Sequence, residues 1–231
     1  MARRNMILAL AGGVGGAKLA HGLARIVPPE QLTIAVNTGD DFEHLGFHIS
    51  PDLDSVMYKL AGLNNTEQGW GVAGESWQFM AALERLGGET WFRLGDRDMA
   101  THVARTAALK AGATLSQVTA DLCARLGIRH SVAPMSDDAV RTFVDTDRGR
   151  LAFQHYFVRD GCRPSVTGFR FEGMAEAAPS PALAAALSDP GLSAIVLCPS
   201  NPFISLDPIL GIPRVKATLA ARRAPVVAVS P

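Results

Sequence analysis

Met6-Ile7-Leu8-Ala9-Leu10-Ala11 runs without a polar break into Gly12-Gly13-Val14-Gly15-Gly16. So short an apolar run, stopped by glycines, reads as a strand buried on both faces, the condition of a strand inside a parallel sheet. From Ala17 to Ile26 the pattern turns helical, with Leu19, Leu23 and Ile26 on one face. Strand, glycine turn and helix together open an α/β unit. Leu32 to Val36 is a second apolar run, stopped by Asn37-Thr38-Gly39-Asp40-Asp41, residue types that favour a turn. Two parallel strands joined by a crossover helix are the simplest assembly.

Downstream, Ser50-Pro51-Asp52-Leu53-Asp54 has a capping residue, a proline at the first helical position and an acidic first turn, so a helix is predicted there. Further helices are predicted over Glu75 to Leu86, Met99 to Lys110, Ser116 to Leu126 and Pro179 to Leu187. Between Ser131 and Phe157 the texture becomes β-prone, in the runs Ser131 to Ala133, Arg141 to Val144 and Leu151 to Phe157. The last two flank Asp145-Thr146-Asp147-Arg148-Gly149 and read as a hairpin. Ala194 to Leu197 predicts a strand ending at Cys198-Pro199-Ser200-Asn201-Pro202, and Val226 to Val229 a last one. The expected fold class is α/β, an open, mostly parallel sheet with a helical and β-hairpin insertion over roughly 62–165, in one domain over 1–231. The apolar Ala224 to Val229 is expected inside that sheet with a covering helix after it, so a C-terminal part of the fold is expected to be missing.

Lys and Arg number 22 against 22 Asp and Glu, which argues against a basic nucleic-acid groove or an electrostatic membrane patch. No run approaches the roughly 18 apolar residues of a membrane span, and Arg3-Arg4 before Met6 to Ala11 only mimics a signal peptide. Cys123, Cys162 and Cys198 are far apart and lack metal or disulfide spacing, which fits a reducing cytoplasm.

The glycine turn opens a helix, where backbone N–H groups and the positive helix end suit phosphate oxygens. It matches neither the P-loop nor the dinucleotide fingerprint: Lys18 precedes Leu19, and it stands where a third glycine belongs. Tight helix packing is the competing explanation. Asp40-Asp41, Asp52/Asp54, Asp96/Asp98 and Asp137-Asp138 are carboxylate pairs, some directly after predicted strands. Loops of that kind converge at the carboxyl edge of an open α/β sheet, and oxygen-only donors suit Mg²⁺ rather than zinc. Helix capping explains such aspartates equally well one pair at a time. Ser200 and Asn201, between Pro199 and Pro202, offer polar groups to a base or ribose, and Arg93 and Arg97 flank Gly95-Asp96 as candidate anion clamps. His44, His48, His102 and His155 show no nucleophile partner or metal spacing, and Trp70, Trp77 and Trp91 are read first as packing residues.

Gly12 to Gly16, Asn37 to Asp41, Ser50 to Asp54, Leu94 to Asp98, Pro134-Met135-Ser136-Asp137-Asp138, Gln154-His155-Tyr156-Phe157 and Pro199 to Pro202, in that order, resemble the 2-phospho-L-lactate transferases over nearly the whole chain. The resemblance implies a Rossmann-like core, a homodimer in full-length form and a role in deazaflavin coenzyme F420 biosynthesis. It implies transfer of a phospho-lactyl, phosphoenolpyruvyl or phosphoglyceryl group from a guanosine-diphosphate (GDP)-activated donor to 7,8-didemethyl-8-hydroxy-5-deazariboflavin, with Mg²⁺ and release of GMP. By motif position, Asp54 and Arg93 look like acceptor contacts, and Asp54 like the catalytic residue. Gly12, Gly13, Gly15, Gly16, Ser200 and Asn201 look like nucleotide contacts, and Asp41, Asp52 and Asp54 like metal ligands. Val14 stands where the family often has Thr. The alternative is a nucleotide-sugar-binding regulatory protein of the related gluconeogenesis-factor branch, which shares the glycine turn and the Asn37 to Asp41 motif. Pro134 to Asp138 and Gln154 to Phe157 favour the transferase. A nicotinamide dehydrogenase fits poorly, because Asn37 rather than an acid ends the second strand.

Overall fold

The structure, a computed structural model, describes residues 5–230. Strand β1 (Met6–Ala11) leads into α1 (Gly13–Ala24) and then β2 (Leu32–Val36), paired parallel to β1. The helix begins inside the glycine segment, so the glycines form its first turn rather than a loop ahead of it. A small hairpin, β3 (Phe42–His44) with β4 (Phe47–Ile49), precedes α2 (Pro51–Ala61). The helices α3 (Gln78–Arg85), α4 (Asp96–Lys110) and α5 (Leu115–Arg125) follow. A Thr114–Gln117 capping box starts α5.

Strand β5 (Ser131–Pro134) pairs parallel with β2. The stretch 62–165 set aside as an insertion therefore returns to the main sheet part-way along. Next come β6 (Arg141–Thr146), β7 (Gly149–Ala152) and β8 (Val166–Glu172), an antiparallel sheet ordered β7-β6-β8. The hairpin is present, but its second strand stops at Ala152, and the predicted strand residues His155 to Phe157 lie in a helical turn. After α6 (Pro181–Ser188) and β9 (Leu192–Leu197), α7 (Asp207–Gly211) and α8 (Val215–Ala221) lead to β10 (Val226–Ala228).

The main sheet has the order β10-β9-β1-β2-β5, with every pairing parallel. It is an α/β, Rossmann-like open sheet. Alternation in β1 sends Ala9 and Ala11 into a core with Leu53, Met57 and Val118, and Leu8 and Leu10 into a second core with Leu183, Ile195 and Ile209. Both faces are covered, which is why the strand sequences read as unbroken apolar runs. Each fully buried Leu or Ile contributes about 1.5–3 kcal/mol. β10 is the edge strand of the described sheet, with about half of Val226 and Val227 exposed. The order turns back at β1, which has β2 on one side and β9 on the other. The glycine segment and Pro199 to Pro202 therefore flank one crevice at the carboxyl edge.

Candidate active site

The crevice opens into a cavity of about 580 Å³ lined by Gly13, Asp52, Asp54, Arg93, Asp98 and Gln154 on its polar side. Trp70, Trp91, Phe92, Phe153 and Phe157 form much of its apolar wall. The sequence motifs at residues 12–16, 50–54, 94–98 and 154–157 thus meet at one place, carried there by β1, α2, α4 and the turn after β7.

The glycine segment answers to packing first. A Cβ on Gly15 would run into the Pro199 carbonyl oxygen, one on Gly16 would lie 2.5 Å from Ser200 Oγ, and one on Gly12 would lie 2.6 Å from Ser205 Cβ. Gly13 has φ +60°, a left-handed conformation that glycine adopts without strain, and it faces the cavity. The Ser200 hydroxyl accepts from Gly12 N (2.9 Å) and donates to Gly12 O (2.8 Å), bolting the two loops together. Asn201 Oδ1 accepts from Phe203 N (3.0 Å) and Ile204 N (3.4 Å). The predicted nucleotide contacts Ser200 and Asn201 therefore hold the edge of the crevice, whose wall on that side is Ile204 and Ser205. Gly15→Ala is expected to destabilise the fold by about 1–3 kcal/mol, read as a lowered melting temperature. A melting curve equal to wild type would show that Pro199 moves aside freely.

The aspartates divide by environment. Asp52 accepts from Asn37 Nδ2 (2.9 Å) and sits against Gly13 at the start of α1. Burial, only partly offset by hydrogen bonds from Asn37 and the Gly13 backbone, lifts its carboxyl to about 6. Burial, then the charges of Asp52 and Asp41, push Asp40 well above the usual carboxylate range, and Asp40 Oδ1 has no partner. Asp41 Oδ2 accepts from Ser50 Oγ (2.7 Å) and meets His48 Nε2 at 3.1 Å, while Asp41 Oδ1 is buried without a partner. Ser50 thus serves Asp41 and leaves the start of α2 without a side-chain cap. Asp41 lines a neighbouring depression with Thr38, Asp137 and Asp138 rather than the main cavity.

Asp96, Asp137 and Asp138 have structural partners. Asp96 accepts from Ser76 Oγ and from the Gln78 and Phe79 backbone, Asp137 from Ser116 N, and Asp138 from Ala178 N. For these residues capping and loop-tying is the observed role. The start of α4 is held by the Glu75 carboxylate, which accepts from Arg97 N and Asp98 N at 2.8 Å each. Arg93 stands with its guanidinium carbon 4.1 Å from the centroid of the Trp77 ring, a cation–π platform that aims it at the cavity.

Asp54 belongs to a buried network. Arg105 grips both carboxylate oxygens, Nη2 on Oδ1 and Nη1 on Oδ2 (3.1 Å), and His102 Nδ1 lies 3.7 Å from Oδ2. His102 Nε2 is 3.2 Å from Asp98 Oδ2, and Asp98 Oδ1 accepts from Tyr58 (2.6 Å). Burial raises the Asp54 carboxyl, and the Arg105 and His102 charges pull against it. For Asp98 burial pushes up too, but the hydrogen bond and charge of His102, helped by Tyr58, hold it below the usual range. Among the described residues, the set of three ligating atoms lying within 4.8 Å of one another is that of Asp54, Asp98 and His102; Asp41 and Asp52 do not join Asp54 in such a cluster. Sequence reading passed over Arg105 and set His102 aside. The available signal was the spacing of Asp98, His102 and Arg105 on one face of α4, matched by Asp54 and Tyr58 on α2.

The family model for 2-phospho-L-lactate transferase CofD matches residues 7–231. The chain belongs to that family. It is 43% identical over 231 residues to a phosphoenolpyruvate transferase of Kitasatospora aureofaciens, covering 97% of this chain and 71% of that protein. It is 37% identical over 226 residues to the 2-phospho-L-lactate transferase of Methanospirillum hungatei, covering 98% and 75%. A solved structure of a Bacillus halodurans protein described as a member of the upf0052 family superposes with a TM-score of 0.65 at 15% identity, covering 97% of this chain and 68% of that one. That likeness concerns the fold alone.

Proposed function

We propose that this CofD-family transferase moves a phosphate-linked three-carbon acid from a GDP-activated donor to 7,8-didemethyl-8-hydroxy-5-deazariboflavin, releasing GMP, in coenzyme F420 biosynthesis. One observation carries the reading: a single cavity combines a helix start, fixed carboxylates, a stacked arginine and an aromatic wall. Those are the groups that a diphosphate, a hydroxyl nucleophile and a planar ring each require. In the reaction the terminal ribityl oxygen attacks the phosphorus that bears the three-carbon acid. A new O–P bond forms, the bridging P–O bond to GMP breaks, and the hydroxyl proton leaves for solvent or a carboxylate.

Transfer of this kind is mostly positioning and charge stabilisation. In the proposal, the backbone at Gly12, Gly13, Gly15 and Gly16 lies along the diphosphate, with Ser200 and Asn201 fixing that edge. Arg93 steadies the acceptor against the aromatic wall, and Asp54 orients the attacking hydroxyl. Mg²⁺ would arrive with the diphosphate, because Asp40, Asp41 and Asp52 do not converge as a three-ligand cluster among the described residues and the cavity offers oxygen donors only singly. Within the cavity Asp52 would face the ion, whereas Asp41 lines the neighbouring depression and Asp54 is paired with Arg105. When bound, the ion supplies charge neutralisation on the diphosphate.

Relatives named phosphoenolpyruvate transferase reach 43% identity, and those named 2-phospho-L-lactate transferase 36–40%, so the enolpyruvyl donor is the first to assay. The test is a fluorescence titration of the deazaflavin, then turnover with each donor. Saturable binding weakened at least roughly tenfold by Arg93→Ala is expected. Nucleotide-sugar binding with no response to the deazaflavin would instead favour the regulatory branch.

A further inference from the structure

We infer that Arg105 is a positioning residue for the transfer, fixing the Asp54 carboxylate in one orientation toward the acceptor hydroxyl; this rests on the reading just proposed. Arg105 is 1% exposed, so it has no access to substrate and acts through what it holds. It engages both Asp54 oxygens, and its Nη1 also reaches His48 O (3.4 Å) and His102 Nδ1 (3.4 Å). Such a two-point grip from a planar fork fixes the plane of a carboxylate, which a single hydrogen bond does not. The fork is itself backed by neighbours. His102 bridges toward Asp98, and Tyr58 closes the far side of Asp98 from α2, the helix that also carries Asp54.

Two helices are thereby locked at the point where one of them presents Asp54 to the cavity. With both oxygens engaged from behind, Asp54 offers the cavity its remaining lone pairs at a set angle, a hydrogen-bond acceptor rather than a mobile charge. Asp54 thus differs from Asp52, whose partners are a neutral amide and a backbone amide.

Arg105→Lys preserves the charge and removes the fork, and His102→Gln loosens the next layer should Arg105→Lys fail to fold. In either variant the expected result is a fall in kcat for the deazaflavin of roughly tenfold or more, with guanosine diphosphate affinity within about twofold of wild type. The double variant with Asp54→Asn is expected to be no slower than Asp54→Asn alone, because both changes act on one device. Turnover within about twofold of wild type, losses that multiply in the double variant, or an equal loss of guanosine diphosphate affinity would each overturn the inference. A wild-type chain that neither binds nor modifies the deazaflavin would overturn the proposed function itself, and this inference with it. An active wild type with an indifferent Arg105→Lys would overturn the inference alone.

Discussion

Asp54→Asn is expected to lower the unfolding free energy by about 3–5 kcal/mol as well as to suppress transfer. The cost follows from the partner left behind. Arg105 is almost wholly buried, and Asp54 is the residue that engages two of its donors. An asparagine presents one acceptor oxygen and turns an amide N–H₂ toward the other guanidinium nitrogen, so a buried cation loses its counter-charge and one hydrogen bond. His102 Nδ1 stands at 3.4 Å from Arg105 Nη1, and as a neutral acceptor it cannot supply the lost counter-charge. Urea unfolding of wild type and variant measures the difference directly. A loss below about 1 kcal/mol would mean that Arg105 finds Asp98 or Asp41 instead, and that the Asp54 pair contributes little to the fold. Activity lost in this variant therefore has to be read beside its stability, with guanosine diphosphate binding as the check that the crevice remains assembled.

The second large effect concerns pH and divalent cation. Asp40 and Asp52 have carboxyls raised by burial and, for Asp40, by their mutual repulsion, so the folded state holds protons there that the unfolded chain has released. For an acid raised on folding, stability falls as pH climbs from the ordinary carboxylate range near 4 through the folded value. That value is about 6 for Asp52. Histidines with lowered pKa values, His21, His44 and His155, act in the opposite sense, so the absolute melting curve mixes the two. The difference between Asp40→Asn and wild type isolates the acidic cluster.

Without divalent cation the variant is expected to melt close to wild type near pH 4 and progressively higher toward pH 8. The gain should grow with pH as the wild-type carboxyl is forced to ionise, and thermal melts of the two proteins at matched pH measure it. Millimolar Mg²⁺ should shrink the gap by stabilising wild type more than the variant. A gap independent of pH would show that Asp40 is not an ionising burden on the fold. A pH-dependent gap insensitive to Mg²⁺ would leave the charge repulsion standing and remove the cation from this cluster.

Much of the fold lies in local pattern. β1, β2 and β9 are unbroken apolar runs because both sheet faces are covered, and α2 is announced by Pro51 after a turn. The hairpin β6-β7 is likewise marked by its Asp-rich, glycine-ended turn, and α5 by the capping residue at its start. Less visible were β3 and β4, three residues each, and β8, most of whose residues are exposed and which carries no apolar run. β10 is a strand, as its apolar run predicts, while its place in the sheet order is a long-range matter that the run does not encode.

The motifs that mark the crevice are also sequence features: the glycines at 12–16, the aspartates at 52 and 54, and Arg93 before Leu94-Gly95-Asp96. By itself the sequence determined an α/β chain with these residue types at strand ends, and the family to which it belongs. Tertiary structure alone decided what each does. Ser200 grips Gly12 across 188 positions, Arg105 reaches Asp54 across 51, and Asp96, Asp137 and Asp138 go to caps and loop ties instead of the cavity. The reason is physical: an aspartate's chemistry depends on its burial and on which donors face it, and those donors arrive from segments that no local window contains.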